Sequence, residues 1–455
     1  MRSVTRGLLA LVAAASILVM PAGALATSGK KQVKAATASA VAYLKSLQQS
    51  SGAFETDWTL GALAAAKVAP SGLSVEGGPD ARSYYRQLVG DPSTWPEAVE
   101  PSVGEFERAA LNGYAAGIDP ARVSADQNLI AQIVARYQSA NPGYYGTPAA
   151  LSDTVFGVLA LADTAVHKSP RVPAALLAKS VSALKANQHT DGGWTYERGE
   201  GSPTKLAQPA EPDETGAAIA ALCGAGLPVT DPSIAKALSY LKGDLVDSTG
   251  AFESPFGANT DSTAWAVQGL DACGIDPQSA EFTTAEGKTP IDYLISQQIA
   301  GGGFVYEAGE AEANEYSSQD ALRAIAGGGF TAKPAASHNG PKVEAEGSFQ
   351  KGVPSALALV VEYGASLQAC AVTLTPEAST ATLLQVLEAA RAGSAPGGCV
   401  TSFQPTAGNV DLTQLDGSPS SPAPDWTLSI DGGKAKTAKL SSKVAIGDTL
   451  YLQLG

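Results

Sequence analysis

Two kinds of helical pattern alternate along residues 32–330 of the chain. The first places apolar residues at helical spacing among polar ones, as in LLAKSVSALKA (176–186), and predicts an amphipathic helix with one buried stripe. The second fills nearly every position with small apolar residues, as in PDETGAAIAALCGAG (212–226), which is typical of a helix buried on all sides. Six alternations of the two patterns predict six helical hairpins.

A short polar turn joins the two helices of each hairpin and recurs along the chain. Its best copies read Gln-x-x-x-Gly-x-aromatic, and looser copies begin near positions 84, 137 and 240. The three best copies are Gln48, Gly52 and Phe54; Gln188, Gly192 and Trp194; and Gln298, Gly302 and Phe304. Because a recurring motif indicates repeat architecture, we expect the glutamine to bridge backbone groups and the aromatic residue to fill the seam between helices. His189 is then a turn residue rather than a catalytic one.

Polar residues precede the Ala-rich helices and predict where each begins. These anchors recur roughly every 50 residues, and they are Asp57, Glu105, Asp153, Asp213, Asp261 and Ser318. The four aspartates are predicted to be N-caps, since their oxygens can accept from the free amides of the first helical turn. Six such hairpins can close into a ring with the Ala-rich helices inside. The predicted fold class is an all-α (α/α)6 toroid over residues 27–335.

A second pattern begins after a linker at 336–348. Over residues 349–455 the runs ALALVVEY, CAVTLT, DWTLSI and DTLYLQL predict strands, and STATLLQVLEAARAG predicts one helix. The toroid is therefore expected to be followed by a small α+β domain.

The N-terminal segment, positions 1–26, reads as a secretory signal peptide. Arg2 and Arg6 precede an apolar run, and small residues follow at Ala24–Ala26. No later run is apolar enough over a long enough stretch to span a bilayer. The formal net charge of −14, or −16 without the two arginines, excludes nucleic acid and anionic membranes as partners. The expected location is secreted, outside the cytoplasm.

The four cysteines are too scattered for a structural zinc site and, in an oxidising compartment, predict disulfides. Cys223 and Cys273 each lie near the end of consecutive Ala-rich helices, ten residues after Asp213 and twelve after Asp261. We therefore predict a Cys223–Cys273 bridge, and a Cys370–Cys399 bridge in the second domain.

The Gln-x-x-x-Gly-x-aromatic turns resemble the repeats of squalene and oxidosqualene cyclases. The sequences TDSTAW and PDETGAA are similar to those of the wider terpenoid cyclase and protein prenyltransferase toroids. The resemblance covers residues 32–330 and implies the α/α barrel. It does not extend to activity, because the chain has no Asp-x-Asp-Asp acid motif, only 6% aromatic residues to stabilise carbocations, and no Asp/Cys/His zinc site.

The C-terminal sequence DWTLSIDGGKAKTAKLSSKVAIGDTLYLQLG resembles the closing strands of the transcobalamin and intrinsic-factor β-domain. In that family an α6/α6 barrel precedes the β-domain, and cobalamin is held between the two. The resemblance implies a secreted, non-enzymatic protein that holds a corrinoid or another bulky ligand between its domains.

The candidate site is the rim where the N-termini of the Ala-rich helices converge. Aromatic residues are expected to cover ligand faces and aspartates to accept from amide groups. The predicted ligand-binding residues are Trp194, Tyr196, Asp213, Asp261, Tyr306 and Trp426. No catalytic residue and no metal ligand is assigned.

Two alternatives stay open. The related loops GGWTYERGEG (192–201) and GGFVYEAGEA (302–311) carry Glu197 and Glu307, which could serve a terpene cyclase-like or glycan-active enzyme. Calcium binding or simple solvation would also explain these carboxylates. The second alternative to a ligand-binding protein is an interaction module that presents its loops to a cell-surface protein.

Overall fold

A computed structural model describes most of the chain. The described residues are 29–91, 95, 101–124, 127–147, 149–162, 172–199, 208–331, 354–375, 380–392, 400–405, 411–416, 418, 426–445 and 447–454. The predicted signal peptide, the predicted linker at 336–348, and Cys399 lie outside them. None of the described helices combines the length and the apolar character needed to cross a membrane.

Twelve helices are described between positions 29 and 331. They are α1 (Lys30–Ser46), α2 (Trp58–Ala65), α3 (Ala81–Gly90), α4 (Val103–Ala116), α5 (Leu129–Ala135), α6 (Ser152–Ala162), α7 (Ala174–Ala186), α8 (Pro212–Gly224), α9 (Pro232–Gly243), α10 (Thr260–Ala272), α11 (Pro290–Ser296) and α12 (Glu315–Ile325). A short hairpin, β1 (Glu253–Ser254) and β2 (Gly257–Ala258), precedes α10.

The even-numbered helices contact one another in a closed cycle, which we call the ring. Each contacts the next in chain order, and α12 contacts α2. The odd-numbered helices lie outside: α1 contacts α12 and α2, α7 contacts α6, and α9 contacts α8. Burial explains the division, since α8 buries every residue from Thr215 to Leu222, whereas α1 buries only a stripe of Ala36, Ala40 and Leu44.

In two of the best copies, the glutamine of the recurring turn hydrogen-bonds to the next outer helix. The Gln188 side-chain amide donates to Gly192 O (2.7 Å) within its turn and to Ser233 O (2.7 Å) in α9. Gln298 donates in the same way to Gly302 O (2.8 Å) and to Ala36 O (2.9 Å) in α1, so the last turn joins the first helix. The predicted bridging role of the glutamine is confirmed.

The second part of the chain is β-rich. Its elements are β3 (Ser355–Tyr363), β4 (Ser366–Leu374), β5 (Ala381–Thr382), α13 (Leu383–Arg391), β6 (Phe403–Pro405), β7 (Leu412–Leu415), β8 (Trp426–Ile430), β9 (Lys436–Thr437), β10 (Lys443–Val444) and β11 (Thr449–Leu454). The main sheet has the order β4-β3-β11-β8-β9, in which β11 is parallel to β3 and the other pairs are antiparallel. The protein as a whole is mixed α+β.

The sheet buries both of its faces, which explains the continuous apolar run of β3. Alternate residues such as Leu357 and Leu359 share a core with α13. Ala358 and Val360, on the opposite face, belong to the core of the helical ring, where β3 and β4 contact α5. Asn128 adds a hydrogen bond to Ala356 O (3.3 Å). The two parts therefore meet through an apolar interface.

Val360→Asp is expected to lower the free energy of unfolding by about 4 kcal/mol, because it places an unpaired charge at a fully buried position of this interface. The control is Val229→Asp, at a loop position that is 42% exposed and should change little. Urea denaturation of both variants checks the prediction, and equal midpoints would contradict it.

A disulfide joins Cys223 at the end of α8 to Cys273 just after α10, with the Cα atoms 5.3 Å apart. This is the pairing predicted from the repeat. Cys370 is also disulfide-bonded, while Cys399, its predicted partner, lies outside the described residues.

Candidate functional site

The ring encloses a cavity of about 680 Å³. It opens where α2, α8, α10 and α12 begin, and it extends between α2 and α4 to the outer helix α3. Its wall is formed by residues from these six helices and the adjoining loops. Among the described residues that line it, none comes from the β-rich part of the chain.

Aromatic side chains form the floor of the cavity. Trp58, Trp265 and Phe330 line it directly, and Phe156 packs beneath them. The Trp265 ring centroid lies 5.2 Å from that of Phe330, and the Phe156 centroid lies 5.9 Å from that of Trp58. Tilted and edge-to-face contacts of this kind stabilise the cluster. The low aromatic content of the chain is therefore misleading, because the fold concentrates aromatic residues at one place.

Three carboxylates stand on one side of the cavity, each from a different ring helix. Asp213 lies in α8, Asp261 in α10 and Asp320 in α12. Burial, reinforced by neighbouring acids, raises the pKa of Asp261 to about 6 and that of Asp320 to about 7. Burial also raises the pKa of Asp213. The Trp265 indole N–H donates to Asp320 Oδ2 (2.8 Å), which fixes that carboxyl above the floor.

Two arginines line the cavity together with three further acids, Glu55, Asp57 and Glu105. Arg108 Nε lies 3.1 Å from Asp57 Oδ1, and the Tyr85 hydroxyl donates to Asp57 Oδ2 (3.2 Å). Arg323 is buried (1% exposed) and donates to Trp58 O (2.8 Å) and Asn112 Oδ1 (3.2 Å). Burial lowers the pKa of Arg323 to about 10, which leaves it cationic at neutral pH.

The structure corrects the predicted caps. α10 is capped by Asn259, whose Oδ1 accepts from Ser262 N (2.8 Å), and α12 is capped by Asn314. Asp261 lies two residues after the α10 cap, and Asp57 occupies the N-cap position of α2 without making the side-chain bond. Because the side chain of Asn259 satisfies the start of α10, the carboxylate of Asp261 just inside the helix is available to the cavity.

The predicted ligand-binding residues separate into three groups. Asp213 and Asp261 line the cavity, and Tyr306 and Tyr196 lie in the rim loops, where Tyr196 is 48% exposed. Trp194 is fully buried and donates its indole N–H to Leu184 O (2.8 Å), which is the structural role expected of the repeat. Trp426 is fully buried in the core of the β-rich part, its ring centroid 6.5 Å from that of the neighbouring tyrosine of β3. Neither tryptophan has an exposed ring face in this structure.

The carboxylates of the rim loops accept hydrogen bonds from backbone amides nearby. Glu310 Oε2 accepts from Tyr306 N (2.9 Å) and Glu307 N (3.3 Å), and Glu197 Oε2 accepts from Gln208 N (3.3 Å). In the part of the chain that is described, no three His, Cys, Asp or Glu side chains are arranged to hold a metal ion.

Sequence reasoning missed Asp320, Arg323, Trp58 and Trp265. The sequence SSQDALRAIAG offered a signal, because Asp320 and Arg323 are a charged pair inside a helix that the ring buries. Trp265 was visible in TDSTAW, where the aspartate four residues earlier shares its helix face.

No family model and no curated protein sequence matches the chain. Among solved structures, haptocorrin in complex with Cbi is 14% identical, covers 94% of this chain and 98% of its own, and gives a TM-score of 0.36. The type II terpene cyclase MstE from Scytonema is 14% identical over 65% of this chain and 97% of its own (TM-score 0.43). Candida albicans protein geranylgeranyltransferase-I complexed with GGPP is 14% identical over 66% and 86% (TM-score 0.38). Likenesses this distant do not decide between ligand binding and an enzymatic role.

Proposed function

We propose that the protein is a secreted binding protein whose six helical hairpins form an (α/α)6 toroid around a bulky, partly apolar ligand. The cavity of about 680 Å³ carries this proposal, because its size is typical of small-molecule sites. Its aromatic floor would bury apolar ligand surface, and its carboxylates would orient polar groups. The disulfide and the N-terminal signal-like sequence support secretion.

A corrinoid is the specific ligand class that the sequence resemblance suggests. Its amide side chains would donate to Asp213 and Asp261, with Tyr196 and Tyr306 at the rim. The sequence-based model of a clamp between the two domains has less support, because the described cavity lining comes from the ring and Trp426 is buried in the β-rich core. We therefore place the ligand in the ring itself.

The proposal is tested with a substitution that fills the cavity. Ala109 of α4 lines the cavity and is buried, so Ala109→Phe should project a ring into the empty space. The control, Val229→Phe, adds the same ring at an exposed loop. Native mass spectrometry of protein from its secretion medium, and titration with cobalamin and cobinamide, should show at least tenfold weaker binding for Ala109→Phe only. Equal ligand recovery from both variants would place the site elsewhere, and no recovered or titrated ligand would overturn the proposal.

One observation favours an enzyme as the second candidate. Asp320 is a carboxyl with a pKa raised to about 7, held by Trp265 above an aromatic floor, and such a group can donate a proton to a bound alkene. Against this, the chain lacks the Asp-x-Asp-Asp motif of squalene–hopene-type cyclases. We expect no turnover of squalene or a polyprenyl diphosphate. Product formation that Asp320→Asn abolishes would establish the enzymatic alternative.

A further inference from the structure

Three of the carboxylates that line the cavity, those of Asp213, Asp261 and Asp320, form no ion pair with any arginine or lysine in the described part of the chain. Arg108 is paired with Asp57 instead. The Arg323 guanidinium is hydrogen-bonded to Trp58 O and to an asparagine of α4, and it offsets the charge of Asp320 only through space. The Oδ1 atom of Asp261 is buried without a hydrogen bond of normal geometry to the described groups, and the neighbouring Ser317 hydroxyl only partly offsets the effect of burial on the pKa of this carboxyl.

The surroundings of these carboxylates add more negative charge. Glu310 of the rim loop acts on Asp261, and Asp213 acts on both Asp261 and Asp320. Two more acids, Glu211 and Glu214, stand beside Asp213 at the start of α8. Burying several carboxylates together is unfavourable unless a positive charge offsets them. At a pH above the raised pKa values of Asp261 and Asp320, the ring therefore holds an excess of negative charge at one side of the cavity.

The aromatic rings of the floor are the second feature typical of a site for an organic cation. The Arg323 guanidinium carbon lies 4.5 Å from the centroid of the Trp58 ring, so this aromatic cluster already holds one cation against a ring face. Trp265 lines the cavity four residues after Asp261 on the same face of α10. Tyr316, at the mouth, is half exposed.

We infer that the ligand of this cavity is an organic cation, with an amine or quaternary ammonium group seated between the carboxylates of Asp213, Asp261 and Asp320 and the ring of Trp265. Carboxylates supply the opposite charge and aromatic faces accept the alkyl groups around the nitrogen. The inference rests on the proposed binding function and names the chemical class of its ligand.

The test compares choline with 3,3-dimethyl-1-butanol, its neutral isostere, in which carbon replaces the charged nitrogen. Isothermal titration of the intact protein at pH 8 should show choline binding at least tenfold tighter than the isostere. Binding of choline should weaken from pH 8 to pH 6, because carboxyl groups with raised pKa values become protonated over this range. The isostere should show no such dependence.

Matched variants test whether the carboxylates of Asp213 and Asp261 bind the ammonium group. Asp213→Asn combined with Asp261→Asn keeps the side-chain shape and should weaken choline binding at least tenfold. The control is Asp271→Asn, which removes a buried carboxyl with a raised pKa from the far end of α10, about 15 Å along the helix. It should leave choline binding unchanged.

Equal binding of the isostere, full binding by the double variant, or no choline binding at all would overturn the inference. Cobinamide, or a recovered native ligand that contains no amine or ammonium group, would then show that the binding function stands while the inferred ligand class is wrong, provided that its binding is lost in Ala109→Phe. Loss of every ligand response would reject both.

Discussion

Gly216→Ala is expected to destabilise the protein by about 3 kcal/mol, a large effect for one methyl group. A Cβ atom at Gly216 of α8 would lie 2.4 Å from Trp265 O and 2.7 Å from Ala266 Cα. Both are backbone atoms of α10, so neither can move without separating the two ring helices. Because Trp265 also forms the cavity floor, the variant should weaken ligand binding as well.

The control for this substitution lies in the same helix. Gly224 ends α8, and a Cβ atom there would meet nothing within 4 Å. Gly224→Ala should therefore be neutral or slightly stabilising, since alanine restricts the unfolded chain. Urea denaturation followed by circular dichroism measures both variants. Similar midpoints for the two would show that α8 and α10 do not pack as closely as described.

The ligand-free protein is expected to lose stability as the pH rises from 5 to 8. Burial raises the pKa of Asp261 to about 6, of Asp271 and Asp320 to about 7, and of Glu214 to about 8. The folded state thus retains protons that the unfolded state releases near pH 4, so the contribution of these groups to stability is greatest below that pH and falls until each folded pKa is passed. Since one pKa unit corresponds to about 1.4 kcal/mol, the combined loss should amount to several kcal/mol.

Thermal melts at pH 5, 6.5 and 8 and constant ionic strength test this prediction. Asp271→Asn removes one contributor outside the cavity and should flatten the slope, and so should Asp261→Asn. His189 acts in the opposite sense, because burial lowers its pKa, but it is a single group. A melting temperature that stays level or rises with pH would show that these carboxyls are ionised in the folded state at little cost.

The sequence alone determined the features that depend on local spacing. In the three best copies of the turn, the glutamine donates to the carbonyl four residues later and to a second backbone carbonyl, which lies in the next outer helix for Gln188 and Gln298. The Cys223–Cys273 pair followed in the same way, since equal positions in consecutive repeats come together. The runs ALALVVEY and DTLYLQL predicted strands, and the structure has β3 and β11 at these positions.

The composition of the cavity was decided only by the tertiary structure. Trp58 and Arg323 meet although they belong to the first and last helices of the ring, because the ring closes α12 onto α2. Asp261 was predicted both as a cap and as a ligand-binding residue, and only the structure separated the two roles, because Asn259 caps α10 and Asp261 lines the cavity. The two tryptophans that a linear reading placed at a ligand are buried where their own repeat and sheet pack. Local periodicity fixes which face of each helix is buried, but the facing partners across a closed ring depend on which helices the chain brings together.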